Sequence, residues 1–283
     1  MRIVIIGAAG QLGTALQACL TGEVSPLTHT QIEITKPEQV DEVLSAHKPD
    51  CVINAAAYNF VDRAEDEVIQ AAQVNTFGPK NLAQWCAKSG ATLVHVSTDY
   101  VFGSSAGRSE PLSEADPPFP TCAYALSKLR GEKLVEAECS KHFIVRTCGL
   151  YGRASTAGKG NFVTTMRRLA QEGKGLSVVN DQHCTPSYAA DIAGAISRLI
   201  NTDAYGLYHA TNDGGSTWYD FATEIFRLSN LNPSIRPVTS AEYPQKAKRP
   251  AYSVLDCRKL TALIGGPLPA WQDGLARYIA QLD

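Results

Sequence analysis

Two residues of this 283-residue chain stand at a spacing that allows proton chemistry. Tyr124 and Lys128 lie four positions apart in the run Pro120-Thr121-Cys122-Ala123-Tyr124-Ala125-Leu126-Ser127-Lys128-Leu129-Arg130-Gly131-Glu132. Prolines 111, 117, 118 and 120 hold the approach extended, because a residue before proline is pushed out of the helical region. Beyond Pro120, Ala, Leu, Lys and Glu favour a helix. On that helix Tyr124 and Lys128 share a face, one turn apart. A lysine cation beside a phenol is expected to lower the phenol pKa, which turns an inert hydroxyl into a proton donor and acceptor. A Tyr–Lys pair on a solvated helix would do none of this, and Y-x-x-x-K recurs by chance. The elements that would have to position the pair decide between the two readings.

Residues 2–6 form a continuous apolar run, as in a strand covered on both faces of a parallel sheet. The run enters Gly7-Ala8-Ala9-Gly10-Gln11-Leu12-Gly13 and then a helix beginning near Leu12. Small residues let backbone approach a pyrophosphate, whose charge the amides and dipole of the helix start favour. The spacing is G-x-x-G-x-x-G, with alanine at position 9, not the commoner G-x-G-x-x-G. A second strand is expected over 24–27. At its end, Thr28-His29 stand where many NAD sites carry an acid for the ribose hydroxyl, and no arginine is there for a 2′-phosphate. Thr35-Lys36-Pro37-Glu38 reads as a capping box opening a helix through Val40, Val43 and Leu44. A third strand over 50–54 ends in Ala55-Ala56-Ala57, small enough for a cofactor to cross the sheet edge.

Helices are expected over 64–74 and 79–89, then a strand over 91–97 ending in Thr98-Asp99-Tyr100. His95 on that strand reads as a satisfied core histidine. Another strand covers 142–147. The alternation predicts an α/β fold with a doubly wound, Rossmann-like parallel sheet, whose carboxyl-end residues Gly7, Ala55, Thr98 and Thr147 mark where ligands bind. Residues 1–151 are taken as the NAD(P)-binding domain. Residues 152–283 are taken mainly as a smaller, interleaved substrate-binding domain, with parts near 176–211 returning to the sheet. That half is expected to hold a polar loop over 152–160, a helix over 161–172, a polar loop over 180–187, a helix over 188–200 and a short strand over 206–210. The basic run Lys246-Ala247-Lys248-Arg249-Pro250 follows.

Composition narrows the class. An apolar content of 44% with 19% charged residues is that of an ordinary globular protein. A net charge of −2 with scattered basic residues gives no nucleic-acid footprint. No apolar run is long enough to span a bilayer and the first residues lack a signal-peptide layout, so a cytoplasmic protein with no membrane partner is expected. Eight cysteines without a C-x-x-C pair read as reduced thiols. No His/Cys/Asp cluster has ligand spacing, so no metal is expected.

The glycine turn, Ser97-Thr98 closing a central strand, and Tyr124-x-x-x-Lys128 together resemble the extended short-chain dehydrogenase/reductase superfamily. Within it, the chain resembles the dTDP-4-dehydrorhamnose reductase family through Gly10-Gln11-Leu12-Gly13, Asn54-Ala55-Ala56-Ala57-Tyr58, Val61-Asp62-Arg63-Ala64-Glu65, Ser97-Thr98-Asp99-Tyr100-Val101-Phe102, Val179-Asn180-Asp181-Gln182 and Arg249-Pro250. The resemblance implies reduction of the C4 ketone of a nucleotide-linked 6-deoxy-4-ketohexose by NADPH, with NADH possible, in a monomer or homodimer. It implies Thr98, Tyr124 and Lys128 as catalytic residues. Cofactor contacts would come from Gly7, Gly10, Gln11, Leu12, Gly13, Glu33, Ile34, Ala55, Ala56, Ala57, Tyr58, Asn75, Tyr124 and Lys128. The nucleotide sugar would meet Val61, Thr98, Tyr100, Gln182 and Arg249.

The departures fall on the substrate side. After Arg146-Thr147 the family commonly has Ser-Trp, with the tryptophan against the sugar; Cys148-Gly149 is expected to leave a wider pocket. Val68 replaces a usual proline, and His183-Cys184 replace smaller residues. Superfamily dehydratases carry an acid after Thr-Asp, where this chain has Tyr100, and most 4-epimerases have a longer C-terminal domain and retain NAD. A non-catalytic NADP-binding regulator, like the methionine adenosyltransferase beta subunit, stands as the alternative from another class.

Overall fold

Side-chain alternation along the first strand builds the layers. In β1 (Arg2–Ile6), Ile3 and Ile5 pack into one core and Val4 and Ile6 into another, all of them buried. The computed structural model describes residues 1–103, 107–154, 160–173 and 175–282. Residues 155–159 of the polar loop expected over 152–160 lie outside the described residues. β2 (Glu23–Leu27), β3 (Cys51–Asn54), β4 (Thr92–Thr98), β5 (His142–Thr147) and the strand Gly206–His209 complete a six-stranded sheet, parallel throughout. Its order is Gly206–His209, β5, β4, β3, β1, β2. Pro26 is tolerated in β2 because that strand is the sheet edge. The expected doubly wound sheet is present.

Helices cover both faces: α1 (Gln11–Cys19), α2 (Pro37–His47), α3 (Val68–Ala72), α4 (Gly78–Ser89), α5 (Ala123–Glu138), α6 (Phe162–Gln171), α7 (Ala189–Leu199), α8 (Trp218–Leu228), α9 (Arg258–Ile264) and α10 (Trp271–Ile279). Leu12 and Leu16 of α1 meet Ile192 and Ile196 of α7 on the Ile3/Ile5 face. Leu44 of α2, Leu82 of α4 and Val135 of α5 cover the opposite face. Beyond the sheet, α6, α8 and α10 enclose an aromatic core of Tyr151, Phe221, Trp271 and Tyr278. The strands Leu176–Val179 and Ile235–Val238 pair in parallel beside it.

Two local expectations need correction. The capping box at α2 does not form. The cap residue is Lys36, without a side-chain bond, while the Thr35 amide and hydroxyl both donate to Glu33 Oε1, at 3.1 and 3.0 Å. A carboxylate two residues back outcompetes a helix whose first position, Pro37, has no amide to satisfy. The helix expected over 64–74 is also broken, into a 3₁₀ turn Arg63–Glu65, α3, and a π-turn Gln73–Phe77 that runs on into α4.

The π-turn has a visible use, as such insertions often do. The Asn75 side chain accepts from the Tyr58 amide at 2.8 Å and donates to the Tyr58 carbonyl at 2.9 Å and to Ser127 Oγ at 3.0 Å. The Thr76 hydroxyl donates to the Ser127 carbonyl at 2.7 Å. The turn is thereby pressed onto α5, and Gly131 makes room: a Cβ there would lie 2.1 Å from the Asn75 carbonyl oxygen. Gly131→Ala is expected to lower stability by about 1–3 kcal/mol, the usual cost of overpacking, read as a fall in denaturant midpoint at unchanged slope. An unaltered midpoint would show that the π-turn yields without cost.

Candidate active site

The carboxyl end of β4 faces one side of α5. Thr98 closes β4 and caps the 3₁₀ turn Asp99–Phe102, its Oγ1 accepting from the Tyr100 amide at 3.2 Å. Tyr124 and Lys128 lie in the first turns of α5, one turn apart on a shared face. The Thr98 hydroxyl stands beside the Tyr124 phenol and pulls its pKa down, while it donates to Asp99 Oδ1 at 3.2 Å. Two residues back along β4, the Val96 carbonyl accepts from Lys128 Nζ at 2.7 Å. The sequence-predicted trio is therefore assembled at one strand end.

Its electrostatics differ from the expectation. Burial raises the Tyr124 pKa far above the usual phenol range, and the neighbouring Thr98 hydroxyl pulls it only partly back. Burial also draws Lys128 down to about 8, against an upward pull from the Glu132 carboxylate. Lys128 Nζ donates to the Val96 carbonyl, and desolvation is the largest influence on the phenol. Tyr124 is thus a protonated hydroxyl, suited to give a proton. His95 beneath the site is fully buried, and burial and the Lys128 charge push its pKa well below the ordinary value. Its Nδ1 pairs with Asn54 Nδ2 at 3.2 Å, while its Nε2 has no bond partner among the described residues. It is a core residue satisfied on one side only.

The glycine turn meets the end of β3 as a dinucleotide cradle requires. Gly7 has φ +79, and a Cβ on it would sit 2.7 Å from the Ala56 amide. A Cβ on Gly13 would sit 2.3 Å from the Gly7 carbonyl. Any larger residue would fill the space that lets α1 start against the turn, so the chain fits a bound pyrophosphate there. Gly10 is the extended cap of α1, and Gln11 Oε1 accepts from Asn161 of the second lobe at 3.2 Å. Ala55, Ala56 and Ala57 continue from β3 toward the Asn75-anchored Tyr58, whose hydroxyl donates to Glu67. Leu12 and Ile34 are core residues and offer the site only backbone. Glu33 beyond β2 pairs with His29 at 3.1 Å and accepts from Thr35.

On the substrate side, Val61, Tyr100 and Tyr124 pack in one cluster with Ala247, and the Tyr100 and Tyr124 rings meet edge to face at 5.7 Å. Gln182 and Arg249 line one cavity of about 380 Å³. Arg249 is already held there: it donates from Nη1 and Nη2 to the two oxygens of Asp62, each at 2.6 Å. That bidentate pair holds the Asp62 carboxyl down at about 2. The side expected to be open at Cys148-Gly149 has a wall. Gly149 is left-handed at φ +52, and a Cβ there would meet Pro186 Cα at 3.3 Å and the Trp218 ring tip at 3.5 Å. Trp218 of α8 thus stands beside the missing aromatic position.

Several site residues escaped the sequence reading. Asp99 is buried beside Thr98 and accepts from Thr98 Oγ1 at 3.2 Å, Cys148 Sγ at 3.0 Å and Ser253 Oγ at 2.6 Å. Burial raises its pKa against those three bonds. Its place in Ser97-Thr98-Asp99-Tyr100 was the available signal; nothing local announces Ser253, 154 positions away. Glu132 and Arg146 form a buried bidentate pair at 2.9 and 2.7 Å behind Lys128. For Lys128 we expect a titration midpoint within about one unit of 8, followed by NMR of its Nζ in the intact protein. A midpoint at the ordinary lysine value of about 10.4 would contradict the burial described.

Comparison with known proteins agrees with this geometry. The RmlD substrate binding domain family matches residues 1–283. A dTDP-4-dehydrorhamnose reductase of Streptomyces griseus is 40% identical over 291 residues, covering 99% of this chain and 94% of that protein. A crystal structure of a dTDP-4-dehydrorhamnose reductase from Clostridium acetobutylicum superposes with a TM-score of 0.94 at 41% identity, covering 100% of this chain and 99% of that one. Another, from Bacillus anthracis in complex with NADP, gives 0.93 at 39% identity and covers 99% of each chain. A match that runs the whole length of the chain, over a sheet and strand-end site of this construction, means that the protein belongs to the RmlD substrate binding domain family, alongside dTDP-4-dehydrorhamnose reductases.

Proposed function

We propose that the chain reduces dTDP-4-dehydro-L-rhamnose to dTDP-L-rhamnose with NADPH. The reading rests on the Thr98 hydroxyl lying against the Tyr124 phenol at the end of β4, in a chain whose relatives over almost its full length carry that activity. When bound, the reduced nicotinamide supplies a hydride to the C4 carbonyl carbon. The chain's own residues supply the proton and the positioning.

Thr98 and Tyr124 converge on the place where the carbonyl oxygen would sit. As that oxygen gains negative charge, Tyr124 gives up its phenolic proton and the alkoxide becomes an alcohol. Thr98, exchanging its bond to Asp99, donates a hydrogen bond to the same oxygen, which is worth most in a site shielded from water. A phenol pushed up by burial stays protonated until that moment. Lys128 stabilises the phenolate left behind and holds the nicotinamide ribose. Gly7, Gly13 and the start of α1 take the pyrophosphate. Gln182 and Arg249 face the nucleotide end, where Asp62 keeps the guanidinium fork oriented. Val61, Tyr100 and Trp218 bound the sugar.

Purified protein should oxidise NADPH only when the 4-ketosugar nucleotide is present; no such turnover would favour a cofactor-binding regulator. Tyr124→Phe keeps the ring packing and loses the proton, so turnover should fall by about 10²- to 10⁴-fold with NADPH affinity retained. Lys128→Met should weaken NADPH binding as well as turnover. Near wild-type rates in Tyr124→Phe would overturn the acid assignment.

A further inference from the structure

α5 carries Tyr124, Lys128 and Glu132 at successive four-residue steps, so all three side chains share a face. β4 answers them with three consecutive residues. Thr98 meets Tyr124, the Val96 carbonyl takes Lys128 Nζ at 2.7 Å, and Ser97 Oγ donates to Glu132 Oε1 at 2.5 Å. From β5, Arg146 stands opposite Ser97 in the ladder and grips Glu132 through Nε and Nη2. Both side chains are almost wholly buried, at 2% and 3% exposure. The Arg146 guanidinium also lies over the Phe102 ring, 5.0 Å from its centroid. Phe102 ends the 3₁₀ turn that begins beside Thr98 and carries Tyr100.

A buried ion pair is poor evidence of stabilisation, because well-packed apolar residues of similar volume often serve as well. This one joins α5, β4, β5 and the 3₁₀ turn that carries Tyr100. We infer that Glu132, clamped between Ser97 and Arg146, is a positioning residue: it fixes how far α5 sits along β4 and supplies the buried negative charge that keeps Lys128 an ammonium. The ionisable groups around Lys128 are Tyr124 and Glu132 on α5 and His95 on β4, with Arg146 of β5 bound to Glu132. His95 is held neutral by burial, so Glu132 is the group that opposes the desolvation of the lysine. The inference rests on the reading of Lys128 as catalytic.

Glu132→Gln is the direct test, since the amide oxygen can still accept from Ser97 Oγ and Arg146 Nε, while the charge and the acceptor for Arg146 Nη2 are lost. The Lys128 Nζ midpoint should fall by about one unit, and the high-pH limb of kcat/KM should move down by the same amount. Should that variant fail to fold, Glu132→Met combined with Arg146→Met removes the pair without stranding a charge, and a smaller downward shift is expected because the Arg146 cation leaves with the Glu132 anion. A Lys128 midpoint that stays in place in the folded variant overturns the proposal and leaves the reductase reading intact. A wild-type rate with no limb attributable to Lys128, checked by its loss in Lys128→Met, overturns the reading and the proposal together.

Discussion

The contact between β4 and α5 is the constraint on which the rest of the site depends. Lys128 Nζ bonds the Val96 carbonyl, and the neighbouring residues of each element then have no choice of partner. The contact requires a helix close to the sheet, and Gly131, one turn beyond Lys128, lets an adjoining face of that helix press against the Asn75 carbonyl. The π-turn delivers Asn75, and Asn75 in turn fixes Tyr58 beyond β3. Strand end, helix and cofactor-side turn are thus joined by short polar contacts as well as by apolar packing.

Burial decides the chemistry of the pair. A cation beside a phenol ordinarily favours phenolate, yet both groups are withdrawn from water and each is driven toward its neutral form. For Lys128 the displacement from 10.5 to about 8 corresponds to roughly 3 kcal/mol against the charge, at 1.36 kcal/mol per unit. A neutral phenol is the right species to protonate an alkoxide. The state that a reductase needs before hydride transfer is therefore the one that the buried site favours.

Much of the fold was legible in the sequence. The apolar runs of β1 and β3, the glycine turn and the Tyr124–Lys128 spacing each follow from local periodicity or backbone geometry, and the structure places them as expected. What was not legible depends on residues distant in sequence. The π-turn exists because of what Asn75 reaches on Tyr58 and Ser127, and the propensities of 64–74 say nothing of that. Arg249 was readable as a contact for the nucleotide sugar, but not its grip on Asp62, 187 positions earlier. Gly149 signalled an opening in the sugar wall, while the approach of Trp218 from α8 depends on how the second lobe packs. The direction of the Tyr124 shift likewise depends on burial, which no spacing encodes.

The central claim is that Thr98 and Tyr124 act as one unit on a single oxygen atom. A double-mutant cycle with Thr98→Val and Tyr124→Phe, read on the single-turnover rate of hydride transfer from NADPH to the 4-ketosugar nucleotide, tests it most directly. Neighbouring residues that act on one target couple strongly, so the double variant should lose little more than the worse single variant. Losses that multiply would mean that the two hydroxyls act independently, and the strand-end site described here would not be the catalytic unit.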